Sequence, residues 1–367
     1  MEHGKKRYRY EIVYDSLKDS ILNHTYAFGD LLPSEKELTR QLNINRTTAR
    51  KGLELLVSEG LVKKEAGVGS RVIYDNSGRS IAKDSPAVSS FRVNNIGFLL
   101  MKDVMRNNQT DQPYYADLFF ELEQQCKSKN LRAIYCTIED NDTDFFDLMS
   151  QNDFVGVVFV SSVPEKFIIQ ASNMHIPLAI INRLSSFGTC IMCNHTQGAC
   201  LAMDYLYECG HKRIGIIRGA SDFVSDDYKM AGCLLSAFGH KHNLNRQLIM
   251  RGDWTFSTGY ENTLRLFDQP VKPTAIFCFN DIMALGAIKA LRELNLAPGK
   301  DVSIIGFDNM KQLQYSEPDL ATVDCNIAHV AQLAINHVLS IKNGEEDFIG
   351  TIQTSVKLIK GKTVCSI

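Results

Sequence analysis

Three things are scarce in this chain of 367 residues: net charge, tryptophan and long apolar runs. The formal net charge is −2, so no global polarity announces a nucleic-acid partner. No stretch approaches the roughly 18 apolar residues needed to cross a bilayer, so no membrane partner is expected. The first ten residues, MEHGKKRYRY, are basic, but a polar amphipathic segment follows where a secretory leader would be apolar. A cytoplasmic location is therefore the expectation, and ten cysteines in that compartment read as free thiols. Cys190 and Cys193 form a CxxC with His195 nearby, yet no second pair stands at zinc spacing. The two read as small buried apolar residues, and no metal is expected. The chain also lacks a dinucleotide fingerprint, a Walker motif and a GxSxG elbow. With them go the usual signs of an enzyme, and neither a catalytic residue nor a cofactor is expected.

What is present is ordinary in bulk and informative in order. A 44% hydrophobic and 22% charged composition is that of a globular protein, and the length suits two or three domains. Residues 1–74 read as three helices and a short strand pair. Residues 75–93, DNSGRSIAKDSPAVSSFRV, have the composition of a linker. From Asn94 to the end at 367, short apolar runs alternate with amphipathic stretches. The runs are 96–101, 132–137, 156–160, 178–181, 213–218, 274–279 and 302–307, and their continuous Val, Ile, Leu and Phe content suits parallel strands buried on both faces. Helical stretches at 115–130, 197–209, 225–242, 257–267 and 280–294 separate many of them. Alternation of this kind predicts a doubly wound α/β domain, and a span of this length predicts two lobes.

The first zone holds a helix-turn-helix. Ser34 and Glu37 are spaced as a capping box, with Pro33 stopping what precedes. Leu38 and Leu42 mark the inner face of a short helix. Asn43-Ile44-Asn45 is a turn whose last residue can cap a second helix from Arg46 to about Ser58. In that helix Ala49, Leu53 and Leu56 fall on one side. Arg46, Thr47, Arg50, Lys51 and Glu54 fall on the other, so its first turns present a basic face. Arginine can bond two acceptors of guanine at once, and Thr47 and Ser34 suit phosphate oxygens. LVKK, EAGVGS and RVIY then read as a two-stranded wing whose Gly67 and Gly69 let the backbone approach a groove.

In the third zone five signatures sit at the C-terminal ends of strands, where open α/β sheets bind ligands. They are Gln112-Pro113-Tyr114-Tyr115, Ile181-Asn182-Arg183, Lys229-x-x-Gly232, the Phe279-Asn280-Asp281 junction and Gly306-Phe307-Asp308-Asn309. Amides and carboxylates match vicinal hydroxyls, cations donate to them, and aromatic rings cover an apolar C–H face. The single tryptophan, Trp254, supplies one such ring. Asn280 can equally cap the helix it precedes.

PSEKEL, NRTTARKGLELLVSEGLV and the G-x-G wing resemble the GntR family of bacterial repressors over about residues 8–73. The resemblance implies DNA contacts from Ser34, Lys36, Arg46, Thr47, Arg50 and Gly69; Arg9 and Gly67 complete the candidate set. Lys36 stands where many members carry arginine, and Asn45 replaces a usual serine. CNHTQGACLAMDYLYECGHKRIGIIRG, PTAIFCFNDIMALGAIKALRELNL and DVSIIGFDN resemble the LacI/GalR effector domain and the periplasmic sugar-binding proteins over about 94–362. That implies two lobes joined by crossing strands, a ligand cleft between them, and ligand contacts from Tyr114, Tyr115, Arg183, Lys229, Trp254, Asn280 and Asp308. Lys229 stands where arginine is usual and Cys325 where glutamine is common. The combination resembles the arabinose-repressor subfamily. It implies a homodimeric repressor that binds operator DNA and responds to a small sugar, L-arabinose first. A sugar phosphate or a nucleobase is the alternative effector.

Overall fold

In the computed structural model the chain divides into two compact units, residues 1–90 and 91–367. The structure describes residues 9–23, 25–42, 44–58, 61–65, 69–73, 94–102, 113–140, 145, 148–149, 154–345 and 348–367. The expected linker 75–93 lies outside the described residues, as do Gly67 and the Arg9 side chain.

The first unit is three helices, α1 (Arg9–Leu22), α2 (Glu35–Leu42) and α3 (Arg46–Ser58), and a two-stranded sheet, β1 (Val62–Glu65) with β2 (Gly69–Val72). The strands pair antiparallel, Val62 opposite Val72 and Glu65 opposite Gly69. Their core is small: Val13, Leu17 and Ile21 from α1, Leu38 from α2, Ala49, Leu53 and Leu56 from α3, and Val62 and Val72 from the wing. The apolar side of α3 is thus the side the spacing of Ala49, Leu53 and Leu56 indicated. Gly52 lies on that side too. A Cβ there would stand 2.7 Å from Val13 Cγ1 and 3.2 Å from the Tyr10 carbonyl, so a glycine lets α1 and α3 touch.

The second unit has two lobes. The first is a six-stranded parallel sheet in the order β13-β7-β6-β5-β3-β4. Its strands are β3 (Asn94–Met101), β4 (Leu131–Ile138), β5 (Phe154–Val160), β6 (Leu178–Ile181), β7 (Thr189–Cys193) and β13 (Thr351–Thr354). With it go α4 (Pro113–Ser128), α5 (Glu165–Asn173) and α10 (Ile327–Lys342). The second lobe is a four-stranded parallel sheet, β11-β10-β8-β9. Its strands are β8 (Ile214–Ile217), β9 (Ile249–Met250), β10 (Ala275–Cys278) and β11 (Ser303–Ile305). Its helices are α6 (His195–Glu208), α7 (Val224–Gly239), α8 (Phe256–Asp268) and α9 (Asp281–Glu293). Strands β5 to β8, β10 and β11 are buried nearly end to end, as parallel strands covered by helices must be.

The chain passes between lobes three times. It leaves the first lobe after β7, returns after β12 (Thr322–Asp324), and crosses once more between β13 and β14 (Lys357–Ile359), which pairs antiparallel with β12. Two separate apolar cores flank this waist, one built on Phe98, Phe159 and Phe167, the other on Phe277, Phe279 and Phe307. In the second unit the elements that the expected runs and helical stretches did not reveal include β7, β9, β12 to β14, α5 and α10.

Candidate functional site

On the first unit the candidate surface is the outer face of α3. Ser34 and Glu37 form the expected capping box: the Ser34 hydroxyl and amide both donate to Glu37 Oε2, at 2.8 and 2.7 Å. Asn45 caps α3, its Oδ1 accepting from Thr48 N at 2.7 Å. These two caps fix where α2 and α3 begin. Ser34, Lys36, Arg46, Thr47 and Arg50 are all exposed. Arg46 is 82% exposed and its guanidinium reaches back to Glu35 at 2.9 Å, which holds the Glu35 carboxyl below its ordinary range. Arg50 pairs with Glu54 at 2.9 Å along the helix. Exposed pairs of this kind are worth about 0–1 kcal/mol, so a phosphate or a guanine edge can displace either carboxylate. Gly69 opens β2 at φ +135, a conformation that side chains disfavour.

On the second unit a cleft opens between the lobes, enclosing about 540 Å³ of atom-free space with its mouth included. Its walls come from strand ends. Tyr114 and Tyr115 start α4, Ser161 follows β5, and Asn182 follows β6. Across from them stand Phe223 in the segment after β8, Ser225 and Lys229 on α7, Trp254 before α8, Asn280 before α9, and Asp308 after β11. Six of the seven expected contact residues therefore line one space.

Each is held by identifiable partners. Lys229 is 3% exposed; its ammonium donates to the Phe279 carbonyl at 2.7 Å and lies 3.9 Å from the Phe307 ring centre and 5.3 Å from that of Trp254. Carbonyl and ring faces together stabilise a cation there. Trp254 takes a positive φ of 75, and its indole closes over Gly219, where a Cβ would lie 2.1 Å from the ring. Phe223 meets it edge-on at 5.7 Å. Asn280 both caps α9, accepting from Met283 N, and donates to the Trp254 carbonyl, each at 2.9 Å. Its amide is thus engaged in positioning the tryptophan. Asp308 is buried, and burial lifts its carboxyl to about 7, with Cys193 adding to the shift and Lys229 opposing it. Beneath it Asp281, also fully buried and pushed up by that burial, accepts from Thr322 Oγ1 at 2.5 Å and Met310 N at 3.0 Å. It ties the Asp308 turn to β12.

Arg183 is the exception. It lines an adjoining hollow with Leu184 and Asp222 and faces Glu165 at 3.4 Å. The reason is backbone geometry: Asn182 has φ +57, and the amide one residue earlier lines the cleft. Asn182 Nδ2 donates to the Tyr114 hydroxyl at 2.6 Å, and its Oδ1 lies 3.3 Å from His195 Nε2. Asn182, His195, Phe223 and Ser161 are cleft residues that sequence reasoning missed. Asn182 sat inside a quoted motif; His195 was singled out only as the neighbour of a CxxC. Also missed was Asp226, fully buried, which accepts from Arg218 Nε at 3.1 Å, Arg251 Nη1 at 2.6 Å and Gly219 N at 2.9 Å. This network shapes the segment that carries Phe223.

The arrangement can bind a small polar ligand; among the described residues it offers no cluster suited to a metal ion. Among the same residues no helix is long and apolar enough to cross a membrane.

Comparison with known proteins places these features. Residues 9–72 match the family described as bacterial regulatory proteins, gntR family, and residues 203–364 match the periplasmic binding protein-like domain. The HTH-type transcriptional repressor PurR of Proteus mirabilis is 30% identical over 264 residues, covering 70% of this chain and 77% of that protein. A LacI family regulatory protein from Chloroflexus aggregans has TM-score 0.63 at 25% identity, covering 74% of this chain and 98% of its own. A LacI family transcriptional regulator from Enterococcus faecium, solved with bound ribose, has TM-score 0.66 at 20% identity, covering 75% of this chain and all of its own.

Proposed function

The chain belongs to the LacI-type transcription repressors, its ligand-binding effector domain joined to a gntR-family DNA reader, and from that membership we propose that a monosaccharide bound in the interlobe cleft releases it from its operator. It is a regulator and not an enzyme. The observation that carries the effector reading is the convergence of Tyr114, Asn182, Lys229, Asp308 and Trp254 on one cleft whose two walls belong to different lobes. A ligand that touches both walls binds the closed arrangement best and so shifts the population toward it. L-arabinose is the first candidate, because the pairing of a gntR-type reader with this effector domain resembles the arabinose-repressor subfamily.

Two chains pair, and their α3 helices meet two half-sites, as the symmetry of an operator requires. The contacts proposed on DNA are Arg46 and Arg50 to base edges, and Ser34, Lys36, Thr47 and Gly69 to the backbone. A second effector class, a planar nucleobase, is favoured by one feature: the ring faces of Tyr114, Phe223 and Trp254 around the same cleft.

A thermal-shift panel of L-arabinose, D-ribose, hypoxanthine and guanine separates the two classes, since a true ligand raises the melting temperature by mass action. A shift with a pentose and none with a base supports the first reading; the reverse supports the second. Arg46→Ala should abolish specific operator binding and leave that shift intact, whereas Asp308→Ala should remove the shift and leave a repressor that stays on DNA. Normal operator binding by Arg46→Ala would contradict the assignment of α3.

A further inference from the structure

The sulfur atoms of Cys193 and Cys325 lie 3.0 Å apart at the waist between the lobes. Both residues are buried, and they stand at two different crossings: Cys193 ends β7 as the chain leaves the first lobe, and Cys325 follows β12 as it returns. Their separation exceeds a disulfide bond of roughly 2.05 Å by only about 1 Å. We propose that Cys193 and Cys325 are a redox modification site, a dithiol that a hydroperoxide closes to a disulfide linking two of the three interlobe crossings.

The surroundings give one sulfur the character of an attacking thiolate. His195 Nδ1 lies 3.3 Å from Cys193 Sγ, and His195 itself lines the cleft, which gives a water-sized oxidant a way in. Burial pushes the Cys193 thiol up, but the Cys325 thiol, His195 and Lys229 outweigh it and hold it well below its ordinary range. Cysteines elsewhere behave in the opposite way: burial pushes Cys126 and Cys190 up to about 12 and Cys233 and Cys278 higher still. Reactive thiols sit beside cations and inert ones do not, which sets Cys193 apart from these four.

The steps balance. The Cys193 thiolate attacks one peroxide oxygen; an S–O bond forms, the O–O bond breaks, and the departing hydroxide takes a proton to become water. Cys325 then attacks the sulfenic sulfur; the S–S bond forms, the S–O bond breaks, and a second water leaves with the Cys325 proton. Two thiols lose two electrons and one hydrogen peroxide becomes two waters. The product clips the exit after β7 to the return after β12. It also removes the thiol beside Asp308, 3.9 Å from Cys325, and the one beside His195. Oxidant and effector therefore act on one floor, a consequence that rests on the cleft being the effector site; the sulfur chemistry does not.

The test uses the full chain, reduced, freed of reductant and titrated with hydrogen peroxide. The expected result is an intact mass lower by two hydrogens, loss of two titratable thiols, a proteolytic peptide pair joining Cys193 to Cys325, and full reversal by dithiothreitol. Cys325→Ser should instead accumulate a sulfenic acid on Cys193 that dimedone traps. Amide exchange at 193–195 and 325–327 should slow in the oxidised form. A disulfide between other cysteines, a link between two chains, or dimedone labelling spread evenly over the thiols would overturn the assignment. Unchanged exchange at the crossings with the disulfide formed would overturn the clip.

Discussion

At the residue scale the cleft depends on a few positions whose neighbours leave no choice. Gly219 is one. A Cβ there would stand 2.1 Å from the Trp254 ring, so Gly219→Ala must displace the indole. We expect a folded variant whose effector affinity falls by tenfold or more, about 1.4 kcal/mol, read by calorimetry, with a red-shifted emission from the single tryptophan. Unchanged affinity would place Trp254 outside the binding surface. Asp308 is the other. Its carboxyl ordinarily titrates near 3.8 and burial raises it to about 7. The folded state therefore holds the proton more tightly than the unfolded one. Stability from that proton is fully present below about pH 4 and is lost as pH rises through about 7. Asp308→Asn removes the titration, so its stability relative to the parent should climb between those limits in urea melts. A constant difference across that window would mean that the carboxyl is not buried in the folded chain.

At the element scale two contacts decide how helices sit. In the reader, α1 and α3 approach so closely at Gly52 that one methyl group has no room. Overpacking of this kind costs about 1–3 kcal/mol, so Gly52→Ala should lower the unfolding free energy of the N-terminal unit by that amount in denaturant melts, with loss of operator binding in proportion. In the effector domain, α4 and the short helix Lys311–Tyr315 meet across the cleft: the Lys311 amide donates to Asp117 at 3.3 Å and its ammonium lies 3.1 Å from Glu121. This bridge joins the lobes, and half of it is exposed, so its worth is that of a surface pair. Lys311→Ala should raise the effector dissociation constant by a few-fold without changing the melting temperature of the free chain.

Much of this scale was legible. The capping box, the turn at Asn45 and the spacing of Ala49, Leu53 and Leu56 located the reader, because caps and helical periodicity are local. Runs at 178–181, 213–218 and 274–279 matched β6, β8 and β10 closely, because doubly covered strands are apolar throughout. What was not legible depends on crossings. Strand β7, TCIMC, is short and rich in cysteine, and it drew attention as a CxxC. Helix α10 was missed because no apolar run on either side framed it, although Val330, Ala334 and Val338 lie on one face. In the site, the step from Arg183 to Asn182 depends on one left-handed residue, and the Asp226 network joins an arginine 8 residues before it to another 25 residues after it. Neither leaves a local pattern.

At the scale of the whole molecule, the proposed regulation couples a DNA reader to a ligand cleft on one polypeptide through an equilibrium between lobe arrangements. Coupling of this sort is reciprocal: an effector that weakens operator binding by some factor must itself be bound more weakly, by the same factor, when operator is present. Typical couplings of about 1–3 kcal/mol correspond to roughly 5–150-fold. The most direct test measures, by calorimetry on the full chain, the affinity for the compound selected by the thermal-shift panel, with and without a saturating operator duplex. The proposed coupling predicts weaker binding on operator, by the factor that the same compound imposes on operator affinity. Equal affinity in both conditions would contradict it.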